Sequence, residues 1–209
     1  MPAGRTPWRA ASYCAVDLEL SGLDPRQHEI VSFGAVPIED GRLQLSAAVQ
    51  ARVRPLRSIS AASIRVHGMR PADLSDALPL DVAIDPLLAA MAGRIPVVHV
   101  AAIERSFLRP ALRRQGLRLR GGMIDTSVLG LVWLHERDGH APRQTSLAEL
   151  ATALGLPSHS PHDAIGDALT TAQAFVALAT HLDAIRGETV RSLSSAGRRL
   201  ESLLSYPSR

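Results

Sequence analysis

A chain of 209 residues is long enough to bury one full hydrophobic core, and 46% hydrophobic with 21% charged residues is an ordinary globular balance. A formal net charge of +3 excludes a strongly basic nucleic-acid sleeve. No apolar run approaches the roughly 18 residues of a membrane helix. The single cysteine, Cys14, excludes an intramolecular disulfide and a cysteine-based zinc site, and its place in an apolar run makes it a small buried hydrophobe. Residues 1–11 lack the apolar stretch of a secretory signal, so a cytoplasmic location is expected. All 23 basic residues are Arg, and Lys and Asn are both absent, which points to a GC-rich genome more than to selection for phosphate binding.

In chain order, residues 12–18 read as a buried strand ended by the turn residues Ser21-Gly22 and Asp24-Pro25. A second strand over 29–38 runs into Glu39-Asp40-Gly41, a hairpin signal, and a third over 42–53 completes a three-stranded antiparallel meander. The spacing of Val82, Ile84, Leu87, Leu88 and Met91 predicts a helix over 81–93. A short strand at 95–100, a helix over 102–115, a strand at 122–125 and helices over 126–136 and 145–154 follow. A long helix is expected over 162–183, with Ala168, Ala172, Phe175, Leu178, Ala179 and Leu182 on one face. A meander followed by strand–helix alternation predicts an α/β fold with a mixed five-stranded sheet flanked by helices. Residues 12–183 form the expected domain, and 184–209 a C-terminal helical extension, amphipathic over 187–204.

Two local patterns carry chemistry. Asp17 and Glu19, two apart on a strand, point to one face about 6.6 Å from each other. Two charges at the end of a core strand are expensive unless neutralised, and a divalent cation is one way to do it; a strand end that has simply reached solvent is the other reading. The second pattern is His162-Asp163-Ala164-Ile165-Gly166-Asp167-Ala168. Ser160, Pro161 and Asp163 suit the N-cap, first-turn and capping-box positions of the long helix. His162 then lies at its entrance and Asp167 about one turn further in. Arg105, Arg109 and Arg113, four apart, share one face of the 102–115 helix, and Arg114, Arg118 and Arg120 follow. They read as a solvated face or as a ridge that tracks phosphates. Aromatic residues are too scarce for an extended base-stacking platform.

Together these motifs resemble the DEDDh 3′→5′ exonucleases, the DnaQ-like family of the polymerase III epsilon proofreading subunit, ribonuclease T and oligoribonuclease. The likeness covers roughly residues 12–183. Asp17-Leu18-Glu19-Leu20-Ser21-Gly22-Leu23 is similar to the first motif, and His162 with Asp167-Ala168 to the third. Val66-His67-Gly68-Met69 looks like the nucleotide-contacting segment, and Asp125-Thr126 like the pair that often ends the last strand. The second motif departs: in His99-Val100-Ala101-Ala102-Ile103-Glu104-Arg105-Ser106-Phe107-Leu108, Glu104 stands where Asp is usual, one methylene or about 1.5 Å longer.

The resemblance implies a ribonuclease H-like sheet and a two-metal-ion enzyme using Mg²⁺ or Mn²⁺. Asp17, Glu19 and Asp167 would hold one ion, and Asp17 with Glu104 would help hold the second. His162 would act as general base, and Leu20, Ser21, His67, Met69 and Phe107 are candidate contacts to the terminal nucleotide. Phe107 also reads as a core aromatic, and His99 as a structural residue. The implied substrates are the 3′ ends of single-stranded DNA or RNA, with nucleoside 5′-monophosphates released. A DNA polymerase partner and a homodimer both have precedent in the family, and no membrane partner is implied.

Other readings stay open. A degenerate module that binds nucleic acid or a polymerase without cleaving has Glu104 in its favour. Another two-metal phosphodiesterase on the same sheet architecture is disfavoured by the His162–Asp167 spacing. The tyrosine variant of the family is disfavoured because neither Tyr13 nor Tyr206 lies near the third motif.

Overall fold

The computed structural model describes residues 5–205 other than 120 and 158, with backbone only for 204 and 205. Arg120, Tyr206 and the end of the expected extension lie outside the described residues. Six strands, β1 (Tyr13–Leu20), β2 (Ile30–Glu39), β3 (Arg42–Leu43), β4 (Val49–Arg52), β5 (Ile95–Val98) and β6 (Ile124–Asp125), form one mixed sheet. The order is β3-β2-β1-β5-β6, with β4 also pairing β2. The meander pairs antiparallel, whereas β5 and β6 join parallel to β1 and to each other. Around the sheet are α1 (Ala61–His67), α2 (Leu80–Ala83), α3 (Asp85–Met91), α4 (Ala101–Arg114), α5 (Thr126–Asp138), α6 (Leu147–Ala153), α7 (Ala164–Arg186), α8 (Val190–Ser194) and α9 (Ala196–Ser205).

The expected mixed sheet is present, with four local differences. The third strand is divided by a 3₁₀ turn at Leu45–Ala47, so the sheet counts six strands. The 81–93 helix breaks at Ile84 into α2 and α3, because Pro86 has no N–H to bond back into the preceding turn. The extension is two short helices, meeting at Ser195. Helix α1 was not expected; Ser60, whose side chain accepts the Ser63 N–H, and left-handed Gly68 were the local signals that bracket it.

β1 is buried on both faces because layers cover both sides of the sheet. Tyr13 and Ala15 pack with Val36, Leu129, Phe175 and Leu178 on the α5–α7 side. Cys14, Val16, Leu18 and Leu20 pack with Leu87, Phe107, Leu108 and Ala111 on the α3–α4 side. Burial pushes the Cys14 thiol up to about 12, leaving it a hydrophobe. The predicted α7 stripe, Ala168, Ala172, Phe175, Leu178, Ala179 and Leu182, is fully buried. Val190, Leu193 and Ala196 belong to the same buried cluster as α7, and Val190 N–H donates to the Thr6 carbonyl, so α8 closes the core together with the N-terminal segment. Arg199 clamps that closure by pairing with Glu136 and, at 2.7 Å, with buried Glu188.

One contact sets where α7 begins. Gly34 of β2 faces Asp17 of β1 and lies under the first turn of α7. A Cβ there would fall 2.3 Å from the Ala164 carbonyl oxygen and 2.5 Å from the Ile165 nitrogen. Gly34→Ala is therefore expected to destabilise the fold by roughly 2–3 kcal/mol, the upper range for overpacking. The readout is a lower urea midpoint at unchanged slope. A shift equivalent to less than about 0.5 kcal/mol would mean that α7 is not seated on Gly34.

Candidate active site

Alternation along β1 puts Asp17 and Glu19 on the same face as Tyr13 and Ala15, the face along which α7 runs. Because Gly34 admits the first turn of α7, Asp167 arrives beside them. One ligand oxygen from each of Asp17, Glu19 and Asp167 lies within 4.8 Å of the others. Glu104, in the first turn of α4, approaches from the opposite side of the strand end and is 3% exposed. Its Oε2 is buried without a hydrogen-bond partner, and the Leu18 N–H favours its charged form.

The electrostatics of this corner are unfavourable without added positive charge. None of the four carboxylates forms an ion pair among the described residues. Burial pushes Asp17 well above the usual carboxylate range, and Glu19, Asp167 and Asp163 push it further. Burial and the charges of Asp167 and Asp163 bring Glu19 up to about 7. Glu104 is raised by burial and then by Asp17 and Glu19. Asp167 is raised by burial, against the opposing pull of the His162 N–H.

His162 is not on the helix. α7 starts at Ala164, with Asp163 as N-cap residue but without a side-chain cap bond, since Asp163 instead accepts from Gln50 at 2.9 Å. His162 and Ser160 adopt positive φ of 62° and 32°, so the expected capping pattern is replaced by a strained loop. Asp167 secures it: its Oδ2 accepts the His162 backbone N–H at 2.9 Å. The same carboxylate thereby joins the acidic cluster and holds the histidine loop.

The cluster opens into a cleft of about 520 Å³, whose walls include Leu20, His67, His99, Glu104, His162 and Asp167. His67 Nδ1 accepts the Met69 N–H at 3.1 Å, which leaves Nε2 to donate to the Leu20 carbonyl at 3.3 Å. Burial lowers its pKa, so it stays neutral. His99 is held between the Thr126 hydroxyl and the Thr145 carbonyl, as a structural residue would be. Asp125 caps two helices at once, accepting from Ala101 N–H at 2.9 Å with one oxygen and from Ser127 N–H at 3.0 Å with the other.

Three of the expected nucleotide contacts lie elsewhere than on the cleft wall. Ser21 is fully buried, and its hydroxyl accepts the Glu29 N–H. Met69 packs against the small Val31–Ile59–Leu74 cluster. Phe107 is a core residue that borders a neighbouring cavity. Among the cleft residues that sequence reasoning missed is His28. Its ring occupies the space a Cβ at Gly22 would take, with Nδ1 3.2 Å from the Asp24 carbonyl oxygen. The Gly22 of the first motif, read only as a turn residue, was the available signal.

A mixed sheet with an acidic cluster at the end of its central strand, facing a histidine at a helix entrance, defines a nuclease-type α/β domain. The chain belongs to the RNase_T exonuclease family, which matches residues 14–175. It is 33% identical over 187 residues to the DNA polymerase III subunit epsilon-like protein of Rhodobacter capsulatus, and 31% identical over 167 residues to the DNA polymerase III PolC-type of Thermotoga petrophila. The matches take in 88% and 79% of this chain but only 26% and 12% of those proteins. Among solved structures, exonuclease X in complex with 5′ overhanging duplex DNA superposes with a TM-score of 0.65 at 20% identity, over 88% of this chain and 98% of that one. Escherichia coli exonuclease I in complex with a dT13 oligonucleotide gives 0.71 at 13% identity, over 84% and 42%. These likenesses show the fold. No helix among the described residues is long and apolar enough to cross a membrane.

Proposed function

We propose that this domain hydrolyses phosphodiester bonds at nucleic-acid 3′ ends, proceeding 3′→5′ and releasing nucleoside 5′-monophosphates. The observation that carries the reading is the convergence of Asp17, Glu19 and Asp167 beside buried Glu104, in a cleft that His162 borders. Four carboxylates without an ion-pair partner among the described residues, one with an orphaned buried oxygen, fit hard divalent cations such as Mg²⁺ or Mn²⁺. Asp17, Glu19 and Asp167 would hold one ion and Glu104, with Asp17, would help hold a second. Bound there, the ions would neutralise the carboxylates and stabilise charge on the attacking and leaving oxygens.

The chain's own groups do the rest. His162, exposed at the cleft and held at its backbone by Asp167, takes the proton from the attacking water. Neutral His67, with its ring fixed at both nitrogens, forms a rigid wall beside Leu20 for the terminal nucleotide. DNA is the favoured polymer because the relatives carry the name of DNA polymerase III; the neighbouring structures include both DNA complexes and a 3′-exonuclease that recognises a histone mRNA stem-loop. The same names support association with a polymerase.

The test is a ladder assay on 5′-labelled single-stranded DNA and RNA with Mg²⁺ or Mn²⁺. Stepwise shortening from the 3′ end is expected, and His162→Ala should slow it by about 10²–10⁴-fold, the usual contribution of a general base. Full-length substrate left uncut with both metals and both polymers would overturn the reading. The degenerate-module reading would replace it if Glu104→Asp then restored cutting.

A further inference from the structure

A second cavity, of about 570 Å³, lies beside the catalytic cleft, and His28 borders both. We propose that this cavity is an upstream strand subsite: it receives the sugar-phosphate backbone two or more nucleotides from the 3′ end, with Arg54 and Arg114 as its phosphate contacts. The proposal rests on the exonuclease reading and extends it to residues that none of the family motifs includes.

The walls have the composition such a ligand needs. Pro25, Pro55, Leu56 and Pro110 supply apolar surface, and Leu56 is 85% exposed although it is a large hydrophobe. Arg114 comes from the last turn of α4 and Arg54 from the segment after β4. Neither arginine forms an ion pair among the described residues, and the one side-chain hydrogen bond of Arg54 among them is a 3.5 Å approach to the Ser75 carbonyl. Two acidic residues share these walls, Glu29 and Asp81, and neither pairs with an arginine among the described residues. Glu29 is already engaged: its Oε2 accepts the Leu56 and Arg57 N–H groups at 2.8 and 3.0 Å, bonds that fix the Pro55–Leu56 rim.

Geometry links the cavity to the reaction. Phe107, Pro110, Ala111 and Arg114 are spaced i, i+3, i+4, i+7 and so present one face of α4 to the cavity, while Glu104, one turn before Phe107, borders the catalytic cleft. From Glu104 to Arg114 the helix rises about 15 Å, a span of a few nucleotides along an extended strand. One rigid helix therefore carries a carboxylate at the scissile end and a free guanidinium further along the same strand.

Hydrolysis and binding of (dT)2 and (dT)10 are compared for the wild type, Arg54→Gln/Arg114→Gln, and a charge-matched Arg42→Gln/Arg191→Gln control. The wild type is expected to favour the decamer, and the decamer-to-dinucleotide ratio of kcat/KM is expected to fall about tenfold in the first variant only. Anisotropy of labelled (dT)10 in EDTA should show the slope of log K against log salt reduced by about 1.4, two phosphates at about 0.7 each. An unchanged ratio and slope would overturn the subsite, as would equal losses in the control. If the wild type cuts neither oligomer, the exonuclease reading fails, and the anisotropy slope in EDTA still decides the subsite.

Discussion

Asp17→Asn is expected to lower nucleotide release by at least about 10³-fold while raising the melting temperature of the metal-free protein. The two effects have one cause. Asp17 is 9% exposed, at the centre of the acidic cluster, and burial together with Glu19, Asp167 and Asp163 disfavours its charge. The amide keeps the shape and removes the charge, so it relieves that repulsion. The gain is on the order of 1–2 kcal/mol, or about 2–8 °C for a chain of this size. It also removes an anionic ligand shared by both proposed ions, and a 10³-fold loss corresponds to about 4 kcal/mol of transition-state stabilisation. A stability gain with an activity loss marks a site strained for function. Retention of more than a tenth of wild-type activity, or a lower melting temperature in EDTA, would show that Asp17 is an ordinary structural carboxylate.

In EDTA the protein should also lose stability as the pH rises through neutrality, and Mn²⁺ should restore it. Glu19 titrates at about 7 in the fold against 4.5 in the unfolded chain, and Asp17, Glu104 and Asp167 move in the same direction. Between those values the unfolded chain has released a proton that the folded state keeps, so stability present at low pH is lost on the way up. For Glu19 alone the shift corresponds to about 3 kcal/mol at 1.36 kcal/mol per unit. His67 and His99 act oppositely, because burial lowers them and they resist folding while protonated in the unfolded chain. Their effect ends near pH 6.5, and above it the carboxylates alone decide the sign. Most of the Glu19 loss falls below pH 7, and about 0.8 kcal/mol of it remains between pH 6.5 and 8.5. A fall in melting temperature of about 2 °C or more is therefore expected over that window, and Mn²⁺ at about 100 times its Kd should return about 2.7 kcal/mol. A flat or rising melting curve from pH 6.5 to 8.5 in EDTA, or one indifferent to Mn²⁺, would remove the case for a cation site in the cluster.

Much of the fold was legible because its signals are local. Asp40-Gly41 marked the β2–β3 turn, the apolar run before Asp17 marked the central strand, and the Ala168-to-Leu182 stripe marked α7. The misplaced boundaries are those where a neighbour overrides local preference. α7 starts two residues late because Asp163 bonds Gln50 from another strand and Asp167 pulls back the His162 backbone. Neither partner is visible in a helix-capping pattern.

By itself the sequence determined which residue types could meet: carboxylates at 17, 19 and 167 at strand and helix spacings that point each along a defined face, and a histidine five residues before the last. Only the tertiary structure decided that they do meet. Convergence depends on Gly34, whose missing side chain lets the first turn of α7 rest on β2 opposite Asp17. The same holds for Glu104 and Phe107, neighbours on one helix. Glu104 borders the catalytic cleft beside the cluster, while Phe107 faces the core and the adjoining cavity. Helical periodicity can place both residues on α4, but which side of the helix faces the carboxylates is set by how α4 packs across the end of β1.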